Sequence, residues 1–466
     1  MEVLQRTANR GSISTGYDID NSCKFEDDND EWLYRTNVSG TNTKTWTVSW
    51  WFKQTELRSV NGAAAEHWQG GGYGEATRAG IFADDRIWID IGGGDGNTGT
   101  LFRSLSTQKI RDTSAWYHIV IACDSTQSTE ADRLKVWLNG VEVTAWDQKQ
   151  YPTLNFGSAL AGFGGIQMKW GSADATYHGY SGYLAECNYL DGVTATQNDF
   201  GEFDDDSGIW KPKAYTGSYG TNGTYLDFAD ASDLGDDESG NGNDYTENNI
   251  TAADQATDTP TNNGCTLNVL ASLEGSNDIT EGALVSTGKA GGGGNFNGTY
   301  GTMGIDPFNS SVDWYWEIET SIGTSGSDTD IGIGWIKESR ITSGSTAYNN
   351  VYADGISRYS SQTANAAGDI WGVLLETGTT PVFKLYRNDS LIHTSTHGSG
   401  GVSFDTLMFP YITVKGTSVD ARLNFLNPAS SFSIASGNAD PNGYGNFEFD
   451  TKGGYALCTK NLAEYG

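Results

Sequence analysis

Along residues 133–147, RLKVWLNGVEVTAWD, apolar and polar side chains alternate on both sides of Asn139-Gly140. Folded about that pair as a two-residue hairpin, Leu138 faces Val141, Val136 faces Val143 and Leu134 faces Ala145, all on one face. The other face carries Arg133, Lys135, Trp137, Glu142, Thr144 and Trp146. Asn-Gly suits a type I′ turn because both central residues need φ > 0, and the period of two keeps the apolar set together. The pattern predicts a hairpin with one buried face. Its outer pair, Trp137 and Trp146, is covered either by a second layer or by a partner.

The same period recurs along the chain. In KTWTVSWWFKQTEL, Trp46, Val48 and Trp50 alternate with Thr47, Ser49 and Trp51, a strand pattern. GIFADDRIWIDIGG (80–93) reads as a hairpin turning near Asp84-Asp85, and WYHIVIACD (116–124) as an apolar strand. GYLAECNYLDG (182–192) and GTYLDFAD (223–230) complete the first half. Residues 1–20 read as a polar arm or a first strand. Residues 233–263 hold almost no aliphatic side chains and are rich in Asp, Asn, Gly and Thr, which predicts a surface connector. The β pattern then restarts with WYWEIET (314–320), DIGIGWI (330–336) and GDIWGVLLE (368–376). VFKLYRNDSLIHTS (382–395) is a hairpin turning near Asn388-Asp389, followed by MFPYITVKG (408–416) and ARLNFLNP (421–428). No long amphipathic helix and no heptad seam is present, which excludes a coiled-coil shaft. The expected fold class is all-β: two antiparallel sandwiches in tandem, over residues 21–232 and 264–466, after an arm (1–20) and around a connector (233–263).

Composition agrees with many strands and turns. The 466 residues include 61 Gly, 12% aromatics and only 19% charged residues. The net charge of −31 opposes direct binding to nucleic acid or anionic lipid. It suits solubility in salty surroundings, or attraction of cations and basic partners. The five cysteines are widely spaced and form no CxxC or CxxH pair, so buried free thiols and folding in a reducing cytosol are expected. No apolar run approaches the roughly 18 residues of a membrane span, and none has signal-peptide length.

The order TWTVSWWFK, WYHIVIACD, RLKVWLNGVEV, GYLAECNYLDG resembles the concanavalin A-like jelly roll in its laminin-G/pentraxin-like branch. That resemblance implies two stacked sheets, often with sugar or calcium at a rim or concave face. WYWEIE, GDIWGVLLE…FKLYRNDSLI and PYITVKG resemble a SPRY-like sandwich, whose members bind partners through loops and bring no catalytic residues. The arm RGSISTGYDIDNSCKFEDDNDEWLYRT, the connector DESGNGNDYTENN…DTPTNNGCTLN and the tail ALCTKNL are similar to a group of marine bacteriophage structural proteins that join a lectin-like to a SPRY-like sandwich. The resemblance implies a virion-exterior protein, a tail fibre, appendage or capsid decoration. It would be made in the host cytoplasm, assembled with other virion proteins as a homo-oligomer (a trimer by analogy with virion appendages), and serve host-surface or glycan attachment.

Candidate chemistry is sparse. In EHWQGGGYGEATR (66–78), Trp68 and Tyr73 stand among glycines, where exposed rings could stack on sugar; Trp137 and Trp146 are further glycan candidates. The alternative is that these rings pack on the sheet or on a neighbouring subunit. DESGNGNDYTEN (237–248) imitates the start of a calcium loop through Asp237, Ser239 and Asn241, but its twelfth position is Asn248 rather than a bidentate Glu, and an Asx-turn reading competes. No cofactor other than that calcium is expected. Glucanases of the concanavalin A-like fold need E-x-D-x-E or E-x-D-x-x-E on one strand. The nearest strings, EFDDD (202–206), EFD (448–450) and EIE (317–319), are incomplete, so no catalytic residue is assigned. GKAGGGG (288–294) lacks P-loop spacing and reads as a flexible loop. His118 is expected to be structural. The competing expectations are a glycan depolymerase of the same fold and a bacterial adhesin, the latter opposed by the missing secretion signal.

Overall fold

The computed structural model describes residues 16–36, 42–58, 64–71, 76–93, 100–160, 167–171, 179–270, 277–288, 297–321, 331–343, 359–360, 366–399, 402–414 and 419–466. The chain divides into two compact units, one of residues 14–261 and one whose body is residues 262–466. Both are built from antiparallel sheets, which establishes the all-β class. The helices among the described residues are short, Glu338–Ser343 and Thr459–Tyr465, and none is long and apolar enough to cross a membrane.

In the first unit, one sheet runs in the order Val141–Glu142, Leu134–Leu138, Tyr117–Asp124, Thr45–Gln54, Gly182–Asp191, Ser22–Phe25, Gln255–Ala256, with Thr224–Leu226 also pairing Gly182–Asp191. The second sheet runs Trp146–Gln148, Leu101–Lys109, Arg86–Gly92, Thr77–Ile81, Ala65–Gly70, Gln167–Trp170, Trp32–Thr36, Thr246–Asn248. Their inner faces share one core. Trp46, Val48, Trp50 and Phe52 come from one side, and Trp68, Ile87, Ile89, Ile91, Met168 and Trp170 from the other. Alternation places each set on one face.

The hairpin at Asn139-Gly140 forms with positive φ at both residues (47° and 78°), as the type I′ turn requires. A Cβ at Gly140 would lie 2.2 Å from the Trp210 ring, so glycine is needed there for space as well as for φ. The hairpin is shorter than its sequence pattern suggests. Strand pairing covers Val141↔Leu138 and Glu142↔Trp137, Val143 N–H still reaches Val136 O at 2.8 Å, and Val141 is 62% exposed at the sheet edge. Ala145 has no partner on the first sheet because the chain crosses over. Trp146–Gln148 instead pairs with Leu101–Lys109 of the second sheet. Trp137 and Trp146 therefore belong to different sheets.

The outer face of the first sheet lies under a third layer. Trp51, Ala185 and Ile19 pack with Trp210, and Val120 and Leu190 pack with Ala195 and Phe200. His118 ties this layer down. Trp210 Nε1 donates to its Nδ1 at 3.0 Å, so its Nε2 carries the proton and donates to Ser49 Oγ at 2.9 Å. Burial pushes this imidazole down to about 3, keeping it neutral. Residues 233–261, read from composition as a connector, are part of this unit. Thr246–Asn248 pairs with Trp32–Thr36, Gln255–Ala256 pairs with Ser22–Phe25, and Leu234, Tyr245 and Ile250 enter the core. Asp258 is buried and accepts Lys53 Nζ at 2.7 Å and Trp116 Nε1 at 2.9 Å. The segment is polar because it works at sheet edges, where its amides and carboxylates bind neighbouring backbone. Of the expected arm, residues 1–15 lie outside the described residues, while Ile19 is buried.

The second unit has a seven-stranded sheet (Asn277–Thr280, Val285–Gly288, Asp420–Asn424, Trp314–Thr320, Ile370–Glu376, Val382–Arg387, Ser390–Thr396) and a four-stranded one (Asn297–Tyr300, Met408–Val414, Ile331–Lys337, Tyr359–Ser360). Trp316, Trp335, Trp371, Phe383, Ile412 and Phe425 are among its core residues. Asn388 and Asp389 turn with φ of 47° and 66°, where the sequence places the hairpin. GKAGGGG lies outside the described residues beyond Gly288. All five cysteines are buried thiols.

Burial also sets a pH dependence. In Gly182–Asp191 the pairing register shifts between Ala185 and Asn188, and Glu186 at this bulge has φ 50°. Its carboxyl, 8% exposed, accepts Tyr225 Oη at 2.7 Å and Tyr17 Oη at 3.0 and 3.1 Å. Burial pushes it up to about 7, and burial with Asp254 nearby pushes Glu31 up to about 8. A carboxyl raised on folding contributes full stability below its unfolded value near 4.5 and loses that contribution as pH rises through the folded value. The buried imidazoles of His67 and His118, pushed down to about 3, act in the opposite sense, so the carboxyl effect is read by comparing a variant with wild type in urea unfolding. Relative to wild type, Glu186→Gln should shift stability toward pH 8 over pH 5 by about 2.5 kcal/mol at 1.36 kcal/mol per pKa unit.

Candidate functional site

The second sheet of the first unit turns a polar and aromatic face away from the core. Across it the register aligns Tyr34, Lys169, Gln69, Arg78, Asp90 and Arg103 in one row, strand by strand. Leu33, Met168 and Trp170 point inward between these positions, which leaves Trp32, Tyr34 and Lys169 outward; Lys169 Nζ lies 5.3 Å from the Trp32 ring centre.

Asp90 holds the row together. It is fully buried, and Arg103 binds it in a fork, with Nε to Oδ1 and Nη2 to Oδ2, both at 2.8 Å. Arg78 Nε reaches Oδ2 at 3.2 Å, and Arg78 Nη1 lies 3.7 Å from Glu66 Oε2. The two guanidiniums lie 4.6 and 5.9 Å from the Trp88 ring, whose small apolar patch includes Ala64 and Leu105. Charge-assisted forks and ring contacts of this kind fix planar groups in place. The result is a rigid half-buried surface of rings, amides and paired charges, able to hydrogen-bond hydroxyl-rich ligands.

The residues singled out by sequence distribute differently. Trp68 is 1% exposed and packs inside against Trp46, Trp170 and Tyr189. The reason is a register shift between Glu66 and Trp68, which turns both His67 and Trp68 inward; Trp50 Nε1 donates to His67 Nδ1 at 3.2 Å. The outward neighbour is Gln69. Tyr73 lies outside the described residues. Trp137 is half-buried under the third layer with Phe200 and Tyr215. Trp146 packs on the core edge, donates Nε1 to Val143 O at 2.7 Å, and faces Lys149 Nζ at 4.8 Å.

The calcium-loop imitation folds as an Asx-type turn. Asp237 Oδ1 accepts the backbone N–H of Tyr225 and of Ser239, and Oδ2 accepts Ser239 Oγ and Asn243 N–H. Asn241 gives its amide N–H to the carbonyls of Gly220 and Gly223. These oxygens are spent on donors of the chain itself rather than converging on a cation. Among the described residues no group of three or more His, Cys, Asp or Glu is arranged to hold a metal ion.

The incomplete carboxylate strings also serve the chain. Glu317, pushed up to about 7 by burial, accepts Tyr315 Oη and the N–H groups of Glu448 and Phe449. Glu319 accepts Ser433 N–H, Glu448 accepts Ser436 N–H, and Glu202 and Asp204 flank Lys211. In the second unit an open cleft of about 640 Å³ is lined by Phe308, Glu338, Ser339, Phe404, Asp405 and Thr406.

Fold and site together define an all-β protein of two sheet-built units, the first bearing a structured polar-aromatic sheet face. No family model matches the chain, and no curated protein matches it. Among solved structures it is similar to laminin α1 domains LG4–5 from mouse at 8% identity, TM-score 0.29, covering 91% of this chain and 94% of that one. It is also similar to an SAP-like pentraxin of Limulus polyphemus at 13% identity, TM-score 0.26, covering 39% and 82%. A third is the SPRY domain of human HERC1, at 10% identity, TM-score 0.24, covering 34% and 96%.

Trp68 and the outer row can be separated by substitution. Trp68→Ala should cost about 3–5 kcal/mol in denaturant unfolding, the cost of emptying a core indole site. Tyr34→Ala, on the outer face, should stay within about 1 kcal/mol of wild type.

Proposed function

We propose that this chain is a structural protein of a bacteriophage virion exterior, and that its first sandwich binds glycan on the outer face of the second sheet without catalysing a reaction. The observation that carries the binding reading is the aligned row Tyr34–Lys169–Gln69–Arg78–Asp90–Arg103 with Trp32 beside it. Sugar rings offer hydroxyls and C–H faces, and this surface offers amides, guanidinium N–H groups and aromatic rings in fixed positions. The virion assignment draws on the similarity of the N-terminal stretch, the 233–263 segment and the tail to phage structural proteins. In that setting the chain assembles with other virion proteins as a homo-oligomer, a trimer in our proposal.

The competing depolymerase reading has one point in its favour, the Glu186 carboxyl held near 7, where a general acid works. Against it, that carboxyl is 8% exposed and takes hydrogen bonds from both Tyr17 and Tyr225. A glycan array probed with the full chain should give binding that Arg78→Ala or Tyr34→Ala weakens at least tenfold. Incubation with the bound polysaccharide should release no new reducing ends. Labelled antibody should decorate purified particles. Absence of the protein from particles would remove the virion assignment, and binding untouched by both substitutions would remove the sheet-face site.

A further inference from the structure

At the edge where the second sheet ends, Lys149 is held between two rings. Its Nζ lies 4.8 Å from the Trp146 centroid and 5.0 Å from that of Tyr151. Both rings pack on the rim of the core, so the amine sits over a fixed apolar base. The segment is held by Gln150, whose Oε1 accepts Arg103 N–H at 2.8 Å and whose own N–H reaches Ser104 Oγ at 3.4 Å. Lys149 thus stands at the sandwich edge, next in sequence to a residue held by the strand that carries Arg103.

Among the described residues no carboxylate forms an ion pair with Lys149. The acid whose charge it feels, Glu142, lies 3.6 Å from Lys135 instead, and Lys135 also pairs with Asp132 at 3.3 Å. Burial lowers the Lys149 amine from its ordinary value, with Lys135 adding to the effect and Glu142 opposing it. The two arginines of the row differ, because buried Asp90, with Glu66 beside Arg78, already balances their charge. Beyond the satisfied guanidiniums of the row, the sandwich edge thus carries a cation held by two rings and, among the described residues, without an ion-paired carboxylate.

We infer that Lys149, clasped by Trp146 and Tyr151, is the recognition point for a carboxylate carried on a bound glycan. The inference rests on the glycan-binding reading and adds the ligand class: a sparsely charged acidic sugar. A dense polyanion is disfavoured by the net charge of −31. One carboxylate per few sugar rings gives a single local contact with the ammonium, and the neutral remainder follows the row.

The test uses the full chain and a panel of uronic-acid-bearing oligosaccharides, each offered as the free acid and as its methyl ester, with titration calorimetry as readout. The ester keeps size and hydroxyls and removes only the charge. The free acid of at least one pair should bind tenfold or more tighter than its ester. Lys149→Gln should abolish that preference and Lys149→Arg should keep most of it. Reductively ¹³C-methylated protein should show the Lys149 amine titrating at higher pH with the acid bound and unchanged with the ester. Equal binding of acid and ester throughout the panel, or a preference that survives Lys149→Gln, overturns the inference and leaves neutral glycan binding standing. Failure of every acid, ester and neutral glycan to bind removes the glycan reading and this inference together.

Discussion

His67 and Trp68 pack against the same inner wall, and that constraint decides where the polar groups of the second sheet stand. Two consecutive side chains can face one way only at an irregularity in the pleat, and the register shift between Glu66 and Trp68 supplies it. The inward pair meets Trp46, Trp50, Phe52, Trp170 and Tyr180. Gln69 is then turned outward opposite Arg78, Arg78 opposite Asp90, and Asp90 opposite Arg103. A slip of one residue would move the whole set to the other face. The indole core and the outer row are thus two consequences of one register.

The first sheet solves a different problem. Both faces of its central strands are dry, so their outward polar side chains need partners inside the protein. Lys53 has Asp258, Ser49 has His118, and Thr47 Oγ1 donates to Val193 O at 2.9 Å. Asp258 and Val193 come from distant segments that fold over the sheet, while His118 lies on the neighbouring strand and binds Trp210 of the third layer. Buried carboxyls occur in both units. Burial pushes Glu31, Glu186 and Glu317 up from the ordinary carboxylate range, so a chain with 59 acidic residues carries less charge inside than its formula suggests.

Strands and turns were legible because alternation and turn chemistry are local. Thr45–Gln54, Tyr117–Asp124, Gly182–Asp191, Trp314–Thr320 and Ile370–Glu376 lie within the patterned stretches, and Asn139-Gly140 and Asn388-Asp389 turn as their residue types require. What escaped was non-local. Nothing in AEHWQG marks a register shift, so Trp68 among glycines resembled an exposed loop ring. The period in RLKVWLNGVEVTAWD continues to its end, yet the chain leaves the sheet after Val143 to close the sandwich edge with Trp146. The 233–261 segment hid its role because edge strands and Asx turns are built from the same polar residues as linkers. The outer row was also invisible, since Tyr34, Gln69, Arg78 and Arg103 come from four strands and meet only through pairing; a signal did exist in the outward positions of RIWIDIGG, where Trp88 and Asp90 share a face.

The proposed glycan surface is built from residues far apart in sequence, so the most direct measurement is where a bound glycan touches the protein. Photo-crosslinking of the full chain with a diazirine-bearing oligosaccharide, followed by peptide mapping, reads this out. The account requires label on peptides carrying Tyr34, Gln69, Arg78 and Arg103 together. Label confined to residues 262–466, or to the third layer around Trp137, would contradict it.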